Sequence, residues 1–262
     1  MSFDERLVLN KESKTNIIYD EHLVRYQLAA KMASGKIVLD IACGSGYGSK
    51  ILAEAGAKKV VAIDKSPEAL QQARENYSHT NLLYKEGDAE NISEADESFD
   101  LVVSFETIEH LPSTEKYLAE IARVASREGI FLVSTPNREV FGQKNPYHLR
   151  EFTRGEFEEA LKKYFKNIFI LEQTNGIASV IKAGESASAE AMVDKSGKIY
   201  FSDSGAPLYF IAVCSNNTSN LSELFKESIV SVNPAALEKI RNNPVVKIVD
   251  KVYSLIMKLI KR

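Results

Sequence analysis

Short apolar runs alternate with helical stretches along the chain from residue 36 onward. Each run is brief, strongly apolar and often β-branched, which is typical of a strand buried on both faces. The runs lie at residues 36–42, 60–64, 81–85, 99–104 and 129–135. Helix signals stand between them, such as the N-cap, proline and acid of Ser66-Pro67-Glu68 and the apolar face of residues 112–123. This alternation predicts right-handed βαβ crossovers and a parallel sheet.

Further elements are predicted on either side of this core. Strands are expected at residues 167–172 and 207–212, and the second should be antiparallel, at or near the sheet edge, because no well-formed helix separates the two. The result is an α/β fold with about seven strands, mostly parallel, and helices on both faces. Residues 16–33 predict a helix before the first strand, and residues 174–206, rich in Gly, Ser, Ala and Asp, predict a mobile insertion with a short hairpin near residues 196–197.

Composition, charge and cysteine content exclude several classes of function. Of 262 residues, 44% are hydrophobic and 26% are charged, and the formal net charge is −3, as in ordinary globular proteins. Without a basic excess, strong nonspecific nucleic-acid binding is not expected. Two cysteines, Cys43 and Cys214, do not make a disulfide framework or a four-ligand zinc site. The chain starts without the apolar stretch of a secretory signal and contains no apolar run of about 18 residues, so we expect a cytoplasmic protein.

We expect three units along the chain. Residues 1–35 form an N-terminal helical cap, residues 36–215 form the main α/β domain, and residues 216–262 form a polar linker and a basic amphipathic helix. That helix, residues 244–262, has an apolar stripe with five basic residues against one acid. Two interpretations stay open: peripheral contact with an anionic membrane face, or packing on the domain or on a second copy of the chain.

A glycine-rich loop with an acid before it carries the sharpest chemical signal. Gly44-Ser-Gly46-Tyr-Gly48 follows a predicted strand and opens a helix, so backbone N–H groups can approach a ligand closely. The third glycine of a dinucleotide motif is replaced by Ser49. Asp40, at the strand end, would oppose a pyrophosphate but could accept hydrogen bonds from a cationic, amino-acid-like group.

Two more acids follow the next two strands. Asp64 ends the second strand, where a carboxylate can hold both hydroxyls of a ribose. Asp88 follows the third strand and could accept a hydrogen bond from the exocyclic amine of adenine. A ribose, an adenine and a positive end together describe S-adenosylmethionine. The alternative interpretation is a tight turn with three helix-capping acids.

The sequence resembles class I S-adenosylmethionine-dependent methyltransferases over about residues 20–172. The segments that carry the resemblance are LDIACGSGYG, VVAIDKS, EGDAENI and FDLVVSFETIEHL. The resemblance implies a Rossmann-like methyltransferase domain with S-adenosylmethionine as cofactor. One departure is Ala42, where the family has glycine, and we expect the loop to tolerate it. The cofactor-contacting residues implied are Asp40, Ala42, Gly44, Gly46, Asp64, Lys65, Asp88, Ala89 and Phe105.

Candidate catalytic residues follow the fourth strand, which in such folds ends beside the reactive methyl group. His110 is the first candidate for the base that removes a hydroxyl proton, and Glu109 orients it or caps a helix. The alternative is that both only cap the helix after Pro112. His148, in the long loop at residues 136–152, is the second candidate base. His148 and Glu151 could also form a metal pair, but no third ligand is evident, so no metal ligands are assigned and metal dependence stays open.

A narrower resemblance concerns the acceptor. Glu21-His-Leu-Val-Arg-Tyr26, together with SFETIEHL, STPNR and NPYHLREFT, is similar to bacterial and archaeal methyltransferases of surface-polysaccharide and glycan biosynthesis. It implies methylation of a sugar hydroxyl on a small-molecule or glycan acceptor. Two alternatives stay open: a quinone or other small-molecule O-methyltransferase, and a noncatalytic S-adenosylmethionine-binding module of a glycan-assembly complex. The Asn-Pro-Pro-Tyr and Pro-Cys signatures of nucleic-acid methyltransferases are absent from the sequence.

Overall fold

The computed structural model of the chain describes residues 17–142, 145–175, 178–183, 189–193, 199–203, 206–217, 221 and 229–232. Helices and strands alternate from the first described residue. The α-helices are α1 (Ile17–Ala30), α2 (Tyr47–Glu54), α3 (Pro67–Asn76), α4 (Thr114–Val124), α5 (Arg138–Phe141) and α6 (Arg154–Lys162). The predicted helix at residues 16–33 is therefore α1, and that at residues 112–123 is α4.

The strands form one large mixed sheet and a small separate one. They are β1 (Ile37–Ile41), β2 (Lys59–Asp64), β3 (Leu82–Glu86), β4 (Phe99–Phe105), β5 (Ala125–Pro136), β6 (Asn167–Asn175), β7 (Ala178–Ala183), β8 (Ala189–Val193), β9 (Ile199–Asp203), β10 (Tyr209–Ser215) and β11 (Ile229–Val232). The order in the large sheet is β11-β7-β6-β10-β5-β4-β1-β2-β3, and β8 pairs with β9 alone.

The prediction of a mostly parallel, seven-stranded sheet is confirmed. Strands β3, β2, β1, β4 and β5 are parallel neighbours. Strand β10 lies between β5 and β6 and is antiparallel to both, so it is next to the last of the seven predicted strands. Strands β7 and β11 were not predicted, and they extend the sheet beyond β6 with antiparallel pairing. The hairpin predicted near residues 196–197 corresponds to the antiparallel pair β8–β9.

Alternation along the strands sends apolar side chains to both faces of the sheet. Val38 and Leu101 pack with α1 and α2 on one face, whereas Leu39 and Val102 pack with α4 and α6 on the other. Helices on both faces are thus confirmed.

Two predictions concern parts of the chain that the structure leaves out. The first part of the expected N-terminal cap, residues 1–16, and the basic helix at residues 244–262 lie outside the described residues. Within the described residues, no helix combines the length and the apolar character that a membrane span needs.

The carboxyl group of Asp40 joins three elements next to the glycine loop. It lies on β1 without exposed surface. It accepts hydrogen bonds from the Tyr26 hydroxyl of α1 at 3.1 Å and from the Ser49 hydroxyl of α2 at 2.6 Å. Burial raises the pKa of Asp40 to about 7, and the two hydrogen bonds offset that rise only in part.

Tyr26 also explains why residue 48 is glycine. A Cβ atom at Gly48 would lie 2.1 Å from Cζ of the Tyr26 ring. The ring contacts Tyr47 and Phe105 edge-on, with centroid distances of 5.4 and 5.1 Å. Helix α1 therefore lies directly on the start of α2 and the end of β4.

We expect Gly48→Ala to lower stability, because the added methyl group must displace the Tyr26 ring. Overpacking of this kind costs about 1–3 kcal/mol, which is a drop of several degrees in Tm. The matched control is Gly155→Ala, where the added Cβ meets no atom within 4 Å and a helical alanine is favourable. Thermal unfolding of both variants measures the difference, and equal Tm values would contradict the packing described here.

Asp40→Asn removes the ionisation while keeping the side chain's shape. The folded wild-type chain holds the Asp40 proton up to about pH 7, whereas an unfolded aspartate releases it near about pH 3.9. The folded state of the wild type therefore loses stability as the pH rises through this window, by up to about 1.4 kcal/mol per pH unit. We expect its Tm to fall relative to that of Asp40→Asn across the same window. Parallel Tm curves would show that Asp40 ionises normally.

Candidate functional site

Two cavities lie at the carboxyl ends of the central strands, the edge at which open α/β sheets bind ligands. The α1 cavity has a volume of about 580 Å³, and its walls come from α1, the glycine loop, the end of β4 and the loop at residues 136–152, including His148. The β2 cavity, of about 650 Å³, lies at the ends of β2 and β3 and includes Asp64. Ala42 and His110 line both cavities, so the two meet at these residues.

The glycine loop passes through three left-handed backbone positions. The φ angle is 59° at Ala42, 55° at Gly44 and 85° at Gly46. A side chain at residue 42 is strained by roughly 1–2 kcal/mol in this region, which explains why glycine suits the position better. Ala42 and Gly44 line the α1 cavity. Gly46 is the N-cap residue of α2, and a Cβ atom there would lie 2.5 Å from the Tyr84 hydroxyl oxygen.

Asp64 fixes the loop to the next strand. Its carboxylate accepts hydrogen bonds from the Gly44 N–H at 2.8 Å and from the Ser66 N–H at 2.9 Å. The side chain is largely buried but still forms part of the wall of the β2 cavity. The same acid therefore shapes the loop and offers carboxylate oxygens at the strand end.

Asp88 and Lys65 form an ion pair on the other side of the β2 cavity. Lys65 Nζ lies 2.9 Å from one carboxylate oxygen of Asp88, and the Glu90 N–H donates to the other at 2.9 Å. The Glu90 N–H and then Lys65 hold the pKa of Asp88 below its usual value. Ala89 lines the same cavity, so three of the predicted cofactor residues lie together here.

Asp40 departs from the prediction. It was expected to accept hydrogen bonds from the cationic end of a ligand, yet it lines neither cavity and its oxygens bind Tyr26 and Ser49. The physical reason is the strand's alternation: Asp40 points to the same face as Val38, toward α1 and α2. We therefore correct its role to that of a structural link behind the loop.

The end of β4 supplies an aromatic wall and an acid. Phe105 lines the α1 cavity, and Glu106 follows it with a left-handed φ of 52°. The Glu106 carboxylate accepts a hydrogen bond from the Ser134 hydroxyl at 2.7 Å and pairs with Arg25 at 3.3 Å. Although burial opposes its charge, Glu106 and then Tyr209 keep the pKa of Arg25 above its ordinary value.

The three predicted catalytic residues converge on the α1 cavity. Glu109 and His110 lie on the 3-10 turn after β4, and His148 comes from the loop at residues 136–152. The rings of His110 and His148 meet edge-on with a centroid distance of 4.8 Å. The loop is fastened to the turn, because the backbone N–H groups of Leu149 and Arg150 donate to the Glu109 carbonyl at 2.8 and 3.1 Å.

The ring nitrogens of the two histidines have defined partners. His148 Nδ1 lies 2.6 Å from the buried Glu151 carboxylate, and the Asn145 amide lies 2.9 Å from Nε2. His110 Nδ1 lies 3.1 Å from the Tyr147 carbonyl oxygen. Because a carbonyl oxygen only accepts, His110 carries its proton on Nδ1, and Glu151 favours the same tautomer of His148.

Glu109 is buried without a hydrogen-bond partner for either carboxylate oxygen among the described residues. Burial raises the pKa of Glu109 well above its usual range, and the charge of Glu106 adds to that effect. The alternative in which Glu109 and His110 cap the next helix is wrong. The N-cap of α4 is Ser113, whose hydroxyl accepts the Lys116 N–H at 3.2 Å.

Sequence reasoning missed several residues of the α1 cavity. Glu106, His22 and Tyr209 line it. Burial and the nearby charge of Arg25 lower the pKa of His22 to about 3, so this imidazole stays neutral. The position of Glu106 directly after β4 was the one signal available. His22 lies on α1, and the side chain of Tyr209 on β10 contacts that helix. The Tyr209 hydroxyl donates to Glu21 at 2.8 Å, and the Tyr209 ring lies under Arg25.

Comparisons with known proteins agree on the central domain. The model of the family described as "Methyltransferase domain" matches residues 39–133. A Mycolicibacterium smegmatis protein named "Probable S-adenosylmethionine-dependent methyltransferase" is 34% identical over 57% of this chain and 59% of its own length. A ubiquinone biosynthesis O-methyltransferase of Azorhizobium caulinodans is 34% identical over 40% of this chain and 42% of its own. The chain thus spans about three fifths of the length of the first of these relatives and about two fifths of the length of the second.

Solved structures share the fold at low sequence identity. An S-adenosylmethionine-dependent methyltransferase of Thermotoga maritima superposes with a TM-score of 0.56 at 17% identity, covering 79% of this chain and 94% of its own. The YcgJ protein of Bacillus subtilis gives a TM-score of 0.54 at 16% identity, covering 75% of this chain and all of its own. Sheet order, glycine loop and family match agree: the central part of the chain has a Rossmann-like methyltransferase fold, and residues 39–133 match the methyltransferase domain shared with relatives named for S-adenosylmethionine.

Proposed function

We propose that this protein transfers the methyl group of S-adenosylmethionine to a sugar hydroxyl in glycan biosynthesis. The observation that carries the proposal is the position of His110, which lines two adjoining cavities and meets the His148 ring edge-on in one of them. A cofactor on one side of this residue and an acceptor on the other would meet beside a base. The presence of both histidines together with the acids expected to bind the cofactor argues against a noncatalytic binding module.

The β2 cavity suits the adenosine part of the cofactor. Asp64 would take the ribose hydroxyls, while Asp88 and Ala89 would contact the adenine. The methionine part would follow Gly44 into the α1 cavity and lie beside Phe105. Lys65 would act indirectly, since its ammonium group pairs with Asp88.

The remaining space of the α1 cavity suits a polyhydroxylated acceptor. Its walls combine hydrogen-bonding groups with aromatic faces, among them Asn145, Tyr47 and Tyr209. Pockets of this size and mixed lining typically bind small molecules or the end of a larger one. The apolar side chains of Val140 and Phe141 in the same wall favour the second candidate, a quinone-type phenol, which the match to ubiquinone biosynthesis O-methyltransferases also supports.

The chemistry needs one proton acceptor. When bound, S-adenosylmethionine would supply an electrophilic methyl group. A hydroxyl oxygen would take this group as the carbon–sulfur bond breaks, and S-adenosylhomocysteine would leave. The hydroxyl proton would pass to Nε2 of His110 or His148, because Nδ1 of each carries a proton toward its partner. Glu151 would then stabilise the protonated ring of His148, as carboxylates do in histidine-based catalysis.

Calorimetry tests the cofactor site. We expect S-adenosylmethionine to bind and NADH not to bind. Asp64→Ala should weaken cofactor binding by about 1.5–3 kcal/mol, the scale of hydrogen bonds to a charged group. Asp96→Ala is the control, since this exposed acid lies outside both cavities. Binding of NADH alone would end the cofactor assignment, and unchanged affinity in Asp64→Ala would remove the ribose role.

Transfer of labelled methyl groups tests the reaction. With nucleotide sugars or glycan acceptors, His110→Ala and His148→Ala should lower kcat by about 10²–10⁴-fold and leave cofactor affinity nearly unchanged. His79→Ala, an exposed histidine near β3, should behave as wild type. Transfer only to catechol-type phenols would replace the sugar with the second candidate. Cofactor binding without transfer to any acceptor would point to the noncatalytic module.

A further inference from the structure

We propose that Glu109, His110 and His148 bind one divalent transition-metal ion at the boundary of the two cavities. Each of the three offers one ligand atom, and these atoms lie within 4.8 Å of one another. The ligands come from two distant segments, the turn after β4 and the loop at residues 136–152. The folded chain therefore supplies the third ligand that the sequence alone did not show.

The carboxylate of Glu109 is the first observation that points to a cation. It is fully buried in the cavity wall, and neither oxygen has a hydrogen-bond partner in the described part of the chain. Leaving such a group unsatisfied is unfavourable, and native proteins rarely do so. A metal ion bound to these oxygens would remove that penalty.

The outer hydrogen bonds of the two histidines are the second observation. Imidazoles that bind metals donate their other N–H to a carboxylate or a backbone carbonyl. His148 points Nδ1 at the Glu151 carboxylate at 2.6 Å, and His110 points Nδ1 at the Tyr147 carbonyl at 3.1 Å. This arrangement assigns Nε2 of each ring as the ligand atom. The Asn145 amide, now 2.9 Å from Nε2 of His148, would yield to the ion.

The ligand set selects the class of ion. Two imidazoles and one carboxylate suit Zn²⁺, Co²⁺, Fe²⁺ or Mn²⁺, whereas Mg²⁺ and Ca²⁺ prefer sites made of oxygen. Bonds of about 2.1 Å in a tetrahedral site place ligand atoms about 3.4 Å apart, so the three side chains would draw together by about 1 Å on binding. Three protein ligands leave a coordination position open, which is the arrangement of catalytic rather than structural sites.

Because all three ligand residues line the α1 cavity, an open coordination position would be available to an acceptor in that cavity. This step rests on the proposed function: an acceptor hydroxyl bound to the ion would lose its proton to water at a lower pKa. Its oxygen would then attack the methyl carbon as described above. Occupation of Nε2 in both rings would make the histidines ligands rather than bases in the metal-loaded enzyme.

Metal titration of the tag-free, full-length protein tests the site without acceptor or cofactor. After dialysis against EDTA, Co²⁺ followed by absorbance and Zn²⁺ followed by calorimetry should each bind at one ion per chain. Glu109→Gln and His148→Ala should abolish or weaken binding by more than about 100-fold. Glu151→Gln should weaken it by about 10–100-fold, because this carboxylate orients the His148 ring. His79→Ala and Glu54→Gln, both outside the cavities, should bind as wild type.

The controls distinguish three causes of a negative result: a misfolded variant, a wrong metal site and a wrong proposed function. Each variant should still bind S-adenosylmethionine, which verifies its fold. No ion bound at micromolar concentration, or binding unaffected by Glu109→Gln and His148→Ala, would overturn the metal site. Full methyl transfer by the EDTA-treated enzyme would overturn the ion's role in the reaction and leave the histidine base intact. Ion binding without transfer to any acceptor would instead support the site and overturn the proposed function.

Discussion

The buried carboxyl group of Asp40 is the constraint on which the site depends. It holds hydroxyl groups from α1 and α2 against β1, at the point where the chain leaves the sheet for the glycine loop. The Tyr26 ring, fixed by this contact, packs on Gly48 and Phe105 and closes one side of the α1 cavity. Without this link, the Tyr26 ring would lose the hydrogen bond that fixes it beside the loop, and this wall of the cavity would be less well defined.

The central strands were predictable because parallel strands buried on both faces have unmistakable apolar runs. The antiparallel β10 was predictable for a topological reason, since no helix precedes it to make a crossover. Strand β7 forms a hairpin with β6 but lies in the stretch that was predicted to be a mobile insertion. Strand β11 has only four residues and pairs with β7 across about fifty residues of intervening chain. Pairing between such distant segments leaves no local signature in the sequence.

The candidate site was predictable in residue type but not in arrangement. Asp64 and Asp88 lie at the strand ends as expected, whereas Asp40 was misassigned although strand alternation already placed it on the face of Val38. The meeting of His110 with His148 depends on the path of a long loop. That path is set by two backbone hydrogen bonds to the Glu109 carbonyl, which no side-chain pattern encodes.

The position of His110 in the walls of both cavities has a thermodynamic consequence. A ligand in either cavity restricts the same imidazole ring, so the two binding equilibria share one conformational variable. By thermodynamic linkage, if one ligand changes the affinity of the other by some factor, the second ligand changes the affinity of the first by the same factor. The wall between the cavities therefore also couples the two sites, since binding in one cavity changes the affinity of the other through His110.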